Sequence, residues 1–300
     1  MTYDSSSVRK LRDAMFAFNI AHPEQTIETL RVGMEAIPQA NPPAADLAVE
    51  PTELGGVAAV AITAPGASKD RVIYHFHGGG WVAGSPASHL GMLGELSRTA
   101  KSQVIVLDHA KAPEHPFPAS YDESIRGYEA LRALGKPFAV TGDSSGGGMV
   151  LNVLAYASSK GHKDARAALL ISPWADLTLT LPSLTQLADR DPMVNASAMR
   201  EMVEAYAGNH DLKDPRISPM FADMHGFPPL LIHVGSDEVL LDDALEIDRK
   251  VRAAGGESHL EVWPEMLHVW HIQTGSLPQA HDALQRAGEF LVGHLEKLKS

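Results

Sequence analysis

Cysteine is absent from the 300 residues of the sequence. Without a thiol the chain forms no disulfide and no thiolate metal site, and a cysteine nucleophile is excluded. The sequence also lacks an apolar run long enough for a membrane-spanning helix, and its polar first residues lack the pattern of a signal peptide. We therefore expect a soluble protein located in the cytoplasm.

Basic residues are the minority among the charged side chains. The chain has 25 lysines and arginines against 37 aspartates and glutamates, which gives a formal net charge of −12. No run of basic residues interrupts this balance, and a negative surface repels nucleic-acid phosphates and anionic lipids. We expect neither nucleic acid nor a membrane as a partner.

Short apolar runs alternate with longer helical patterns from Val57 onward, which is typical of an α/β protein with a mostly parallel sheet flanked by helices. The predicted strands span residues 57–62, 71–76, 103–107, 138–141, 167–171, 230–234 and 259–262. The predicted helices between and after them span residues 88–99, 121–134, 145–159, 242–254 and about 279–298.

Two segments interrupt this alternation. Residues 1–40 have apolar side chains at helical spacing before a proline pair, so we predict two helices that precede the sheet. The segment from about residue 176 to residue 227 contains a predicted helix at 195–207 among several prolines. Together the two segments are candidates for a helical cap over the edge of the sheet where open α/β sheets bind their ligands.

The run Gly142-Asp143-Ser144-Ser145-Gly146 joins a predicted strand to a predicted helix. This G-x-S-x-G pattern is typical of a nucleophile elbow, a strained turn that needs glycine two residues before and two residues after its serine. Only Ser144 meets both conditions, since Asp143 stands where Ser145 would need a glycine. We predict Ser144 as the nucleophile, the alternative being an ordinary glycine-rich turn.

The run His77-Gly78-Gly79-Gly80 follows another predicted strand. Glycines let backbone N–H groups approach a substrate oxygen that becomes negative during the reaction. We predict an oxyanion hole formed by the N–H groups of Gly78, Gly79 and Ser145, the alternative being a flexible loop. A metal pair at His75 and His77 lacks further ligands at metal-binding spacing, so no metal site is expected.

A serine nucleophile needs a base, and in this arrangement the chain order is serine, acid, histidine. His268 lies just after the last predicted strand and is the best-placed base, with His271 as its competitor. The acid is expected to follow the strand at 230–234, where Asp237 and Glu238 are adjacent. Spacing alone does not choose between the two carboxylates.

These motifs together resemble those of the hormone-sensitive lipase family of α/β-hydrolases, also called bacterial family IV lipolytic enzymes. The resemblance extends over about residues 70–300. Its motifs occur in family order: His77-Gly78-Gly79-Gly80, Ala112-Pro113-Glu114-His115-Pro116-Phe117-Pro118-Ala119, Gly142-Asp143-Ser144-Ser145-Gly146-Gly147, Ser172-Pro173-Trp174 and Asp191-Pro192.

The resemblance also favours one of the two candidate acids over the other. The family's acid is followed by x-Leu-x-Asp-Asp, and Leu240, Asp242 and Asp243 fit this register when Glu238 is the acid. It thus favours Glu238, with Asp237 as the alternative. It further implies the α/β-hydrolase fold, with a catalytic domain over residues 46–300, the N-terminal cap helices of residues 1–45 and a cap insertion at about 176–227.

The resemblance implies a carboxylesterase that acts without cofactor or metal on small-molecule esters of short to medium acyl chains, as a monomer or a homodimer. Two alternatives are a lactone or acetyl-ester hydrolase with the same triad, and a non-catalytic ligand-binding protein. Plant gibberellin receptors resemble this family but lack the catalytic histidine, whereas His268 is present here. Candidate residues for an acyl pocket are Phe16, Phe18, Trp81, Met193, Tyr206 and Phe221.

Overall fold

The computed structural model describes residues 6–22 and 26–296, and in these an eight-stranded sheet forms the centre. The strands are β1 (Ala48–Leu54), β2 (Val57–Thr63), β3 (Ser68–Phe76), β4 (Ser102–Leu107), β5 (Phe138–Asp143), β6 (Ala165–Ile171), β7 (Leu230–Gly235) and β8 (Ser258–Trp263). Their spatial order is β1-β2-β4-β3-β5-β6-β7-β8. Only the pairs β1–β2 and β2–β4 are antiparallel, so the predicted mostly parallel sheet is confirmed.

The α-helices flank the sheet or precede it. They are α1 (Ser6–Ala21), α2 (Ile27–Glu35), α3 (Ile37–Ala40), α4 (Leu90–Thr99), α5 (Ala119–Ala133), α6 (Ser145–Ser159), α7 (Ser183–Gln186), α8 (Ala196–Ala207), α9 (Leu241–Ala253) and α10 (Pro278–Leu295). The last helix ends at Leu295, and residue 298, its predicted end, lies outside the described residues. No helix in the described ranges combines the length and the apolar character needed to cross a membrane.

Both faces of the sheet are covered. On one face the core includes Tyr128 of α5, Leu151 of α6 and Ile247 of α9, and on the other it includes Leu93 of α4 and Leu284 of α10. Parallel strands between two helix layers need apolar residues on both sides, which explains why the central strands read as nearly continuous apolar runs. The carboxyl ends of these strands all open at one edge.

All seven predicted strands occur, but the sequence analysis missed β1. Six of the seven residues of this edge strand are exposed. They also include Pro51, which an edge strand tolerates because one side of it needs no partner for its N–H groups. The strand therefore lacks the buried apolar pattern by which the other strands are recognised.

The N-terminal segment contains three helices rather than two. Three apolar residues of α2, namely Ile27, Leu30 and Met34, pack against the main core. Arg31, on the same helix, donates a hydrogen bond from Nε to the backbone oxygen of Val82 at 2.7 Å. Helix α2 is thus fixed to the loop that follows β3.

Candidate active site

Ser144 lies in the sharp turn between β5 and α6, with φ of 53° and ψ of −122°. The flanking glycines have no room for a side chain. A Cβ atom on Gly142 would lie 2.3 Å from the backbone oxygen of Gly146, and one on Gly146 would lie 2.0 Å from the backbone oxygen of Phe76. Close backbone packing therefore holds the serine in a conformation that non-glycine residues rarely adopt.

Three buried side chains form a hydrogen-bonded chain at this turn. His268 Nε2 lies 3.0 Å from Ser144 Oγ, and His268 Nδ1 lies 2.7 Å from Glu238 Oε2. An ionised carboxylate only accepts hydrogen bonds, so Nδ1 of His268 carries the proton and Nε2 is free to accept one from the serine hydroxyl. Burial lowers the pKa of His268, but the hydrogen bond and charge of Glu238 outweigh it and leave the pKa above the ordinary value.

The two adjacent carboxylates predicted as alternative acids point in different directions. Glu238 contacts His268 and also accepts a hydrogen bond from Ser172 Oγ at 2.9 Å. Asp237 instead forms an ion pair with Arg12 of α1, with 2.5 Å between Nη1 and Oδ2. Glu238, the carboxylate that the resemblance favours, is therefore the one that contacts His268.

Two residues that the sequence analysis gave no role hold the loops of the predicted acid and base in place. Ser172 donates to Glu238 and accepts a hydrogen bond from the backbone N–H of Val269 at 3.0 Å, so it joins the two loops. Asp191 accepts from the backbone N–H of Val239 at 3.0 Å. Their Ser-Pro-Trp and Asp-Pro motifs were visible in the sequence, but these contacts are tertiary and no spacing rule indicates them.

One of the predicted oxyanion donors is wrong. The N–H of Gly78 donates to Asp143 Oδ2 at 3.1 Å and is not available to a substrate. The chain then turns with positive φ at Gly79 and Gly80, and the N–H groups of these two glycines have no acceptor within the described part of the chain. With the N–H of Ser145 at the start of α6, Gly79 and Gly80 are the free donors beside the serine.

The structure brings two of the six predicted pocket residues, Trp81 and Tyr206, into contact and leaves the others apart from them. The rings of Trp81 and Tyr206 are fully buried and stack at a centroid distance of 4.7 Å, with Trp174 5.3 Å from Trp81. Phe16 lies half-buried on α1. Three predicted pocket residues instead face solvent, with exposed fractions of 62%, 40% and 41% for Phe18, Met193 and Phe221. Helical spacing alone did not show which side of these elements is covered.

His271, the competing base, points away from the serine. Its Nε2 lies 3.0 Å from Nδ1 of His233, and both rings are fully buried. Burial lowers the pKa of His271 well below the ordinary value.

In the described residues no group of three or more histidine, aspartate and glutamate side chains is arranged to hold a metal ion.

Comparison with known proteins identifies the class. The sequence profile of a family with the alpha/beta hydrolase fold matches residues 73–272, and the chain belongs to this family. The chain is 37% identical over 230 residues to an acetyl-hydrolase of Streptomyces hygroscopicus, and the aligned region covers 76% of this chain and 77% of the relative.

Two crystal structures define the group more narrowly. An esterase of the bacterial hormone-sensitive lipase family is 37% identical, with a TM-score of 0.92 over 98% of this chain and 100% of that one. The protein EstE5, crystallised and soaked with p-nitrophenyl butyrate, is 40% identical, with a TM-score of 0.92 over 97% and 99% of the two chains. The predicted fold and the predicted membership of the hormone-sensitive lipase family are confirmed.

The packing of the turn makes a direct prediction for Gly146→Ala. The added methyl group would push α6 away from the carbonyl of Phe76, and a displacement of about 1 Å at a reacting group can cost about 100-fold in rate. We expect kcat for p-nitrophenyl butyrate to fall by about that factor and the melting temperature to fall with it. The matched control is Gly33→Ala in α2, where a Cβ meets nothing within 4 Å. Equal activity and stability in both variants would contradict the packing argument.

Proposed function

We propose that this protein is a carboxylic ester hydrolase that works through an acyl-enzyme on Ser144. The observation that supports this most directly is the buried chain of contacts from Ser144 through His268 to Glu238, at 3.0 Å and 2.7 Å. A hydroxyl next to a base, with the base oriented by a carboxylate, is the arrangement that activates serine for attack on an acyl group. The esterases among its relatives support the same conclusion.

In the proposed reaction, Ser144 Oγ attacks the ester carbonyl carbon while His268 Nε2 takes the hydroxyl proton. The negative oxygen of the tetrahedral intermediate accepts hydrogen bonds from the N–H groups of Gly79, Gly80 and Ser145 at the positive end of α6. His268 then gives its proton to the leaving alcohol, and Glu238 stabilises the charged imidazole. Water repeats the sequence, releases the acid and restores the serine.

The substrate is proposed to carry a short to medium acyl chain. The backbone N–H of Trp174 donates to the backbone oxygen of Ser144 at 2.9 Å, and that of Trp81 donates to Ser145 Oγ at 3.4 Å. Together with Tyr206, these residues form a fully packed aromatic cluster close to the serine, which supports a limit on chain length. The acetyl-hydrolase name of the Streptomyces relative favours acetyl esters within this class.

Residues 1–45 and about 176–227 are proposed to act as a cap on the catalytic domain of residues 46–300. Met202 of α8 packs against Gly80, where a Cβ would lie 2.3 Å from its sulfur atom. Arg12 of α1 pairs with Asp237, and Asp191 of the insertion binds the loop that carries the acid. Both segments therefore contact loops of the site itself. We expect the protein to act on small esters as a monomer or a homodimer.

The roles of the two adjacent carboxylates are separated by conservative substitutions. In Glu238→Gln the tautomer of His268 is no longer fixed, and we expect kcat to fall by about 100-fold to 10,000-fold. In Asp237→Asn the ion pairs with Arg12 and Arg190 are weakened while Glu238 keeps its contact with His268, and kcat should stay within about threefold of the wild type. Both are measured on p-nitrophenyl butyrate, with Ser144→Ala as the inactive reference and melting temperatures as the folding control. A large loss of kcat in Asp237→Asn alone would make Asp237 the acid.

A series of p-nitrophenyl esters from acetate to palmitate tests the acyl preference. We expect kcat/KM to be highest among the short and medium chains and to fall steeply beyond them, because in this proposal the buried aromatic cluster limits the length of the acyl chain. Ser144→Ala, assayed in parallel, measures hydrolysis that does not depend on the site. The highest kcat/KM on emulsified long-chain esters would overturn the proposed substrate class.

A further inference from the structure

Three ionisable side chains that the proposed reaction does not use lie directly behind the oxyanion loop. Asp143 Oδ1 lies 3.1 Å from His75 Nε2, and Asp143 Oδ2 lies 3.3 Å from His89 Nε2. Oδ2 also accepts the N–H of Gly78 at 3.1 Å. All three side chains are shielded from solvent. This group, the Asp143 cluster, therefore touches the loop one residue before its free donors.

The hydrogen bonds of His89 determine its charge. Its Nδ1 lies 3.2 Å from the backbone oxygen of Ser85 and 2.9 Å from Ser88 Oγ. The hydroxyl of Ser88 lies 2.8 Å from that same backbone oxygen, and when it donates its proton there it accepts from His89. Both ring nitrogens of His89 thus face oxygen atoms that can accept, an arrangement that favours a proton on each nitrogen and a positive ring. Burial opposes this, but the charge of Asp143 outweighs it and raises the pKa of His89.

The other groups around His89 leave one positive and one negative charge in the cluster. His75 Nδ1 lies 2.8 Å from Thr141 Oγ1, a hydroxyl that can donate, and burial lowers the pKa of His75. The ring of His77 is 5.6 Å from that of His89, and burial lowers its pKa well below the ordinary value. Glu35 on α2 adds a more distant negative charge that favours protonated His89.

This charge balance matters for the reaction. A buried carboxylate next to the nucleophile would repel the oxyanion that forms on the substrate, since charges interact strongly where water is excluded. The carboxylate of Asp143 is nevertheless needed, because it accepts the hydrogen bond from the N–H of Gly78. That bond fixes Gly78 and with it the direction of the N–H groups of Gly79 and Gly80. A positive partner on its far side allows both conditions to hold.

We propose that Asp143 and His89 form an ion pair that positions the oxyanion loop, with Asp143 orienting Gly78 and the imidazolium of His89 cancelling the carboxylate charge. The inference rests on the proposed function. Both are positioning residues, since neither touches the reacting atoms. Their effect should appear only when the substrate oxygen becomes negative, which is in the transition state and not in the bound substrate.

The cluster provides a matched pair of variants. His89→Gln removes the charge but keeps a donor toward Asp143, and we expect kcat to fall by about tenfold to 100-fold with KM little changed. His75→Gln replaces a neutral donor on the same carboxylate, and kcat should change by less than about threefold. The affinity of a trifluoromethyl ketone, which forms an oxyanion on Ser144, should weaken in His89→Gln by the same factor as kcat. Equal losses of kcat in the two variants, or a loss in KM alone, would overturn the proposal.

A second measurement does not depend on how the variants fold. Nitrogen NMR of the histidine rings in the wild-type protein distinguishes an imidazolium, with both nitrogens protonated, from a neutral ring. We expect His89 in the first form and His75 in the second, and a neutral His89 would refute the ion pair. Turnover that is present in the wild type and lost in Ser144→Ala tests the proposed function separately, so its failure is distinguishable from that of the ion pair.

Discussion

The position of Ser144 depends on the missing side chain of Gly146, whose backbone packs directly onto the carbonyl of Phe76. With only 2.0 Å between a hypothetical Cβ and that oxygen, the turn after β5 rests on the end of β3. The same contact brings the N–H of Ser145 beside the loop that carries Gly79 and Gly80. One close approach of two backbones thus positions both the proposed nucleophile and the donors proposed for its oxyanion.

The proposed acid and base, Glu238 and His268, are held by a different kind of contact, in which side chains link the loops that follow three strands. Ser172 after β6 bonds the Glu238 carboxylate after β7 and the backbone of Val269 after β8. Asp237, one residue from the proposed acid, pairs instead with Arg12 of α1. Two carboxylates adjacent in sequence therefore have unlike surroundings, one inside the site and one anchoring an N-terminal helix.

Much of this arrangement follows from local sequence patterns, and the rest does not. The strands other than β1 and the turn at Ser144 could be predicted from periodicity and glycine spacing. The order serine, acid, histidine came from the known arrangement of such triads, and the choice of Glu238 came from the family resemblance. The acceptor of the Gly78 N–H could not be predicted, because it is set by a contact with Asp143 across two strands. Phe18 and Met193 were assigned to a pocket for a similar reason, since periodicity locates an apolar residue but not what covers it.

The central claim is that hydrolysis passes through an ester of Ser144. The most direct test is to mix the protein with p-nitrophenyl acetate, stop the reaction with acid within the first turnover, digest the protein and locate the acetyl group by mass spectrometry. The account predicts an acetyl group on the peptide that contains Ser144, and on that serine alone. Rapid turnover without an acetylated serine, or with the acetyl group on another residue, would contradict it.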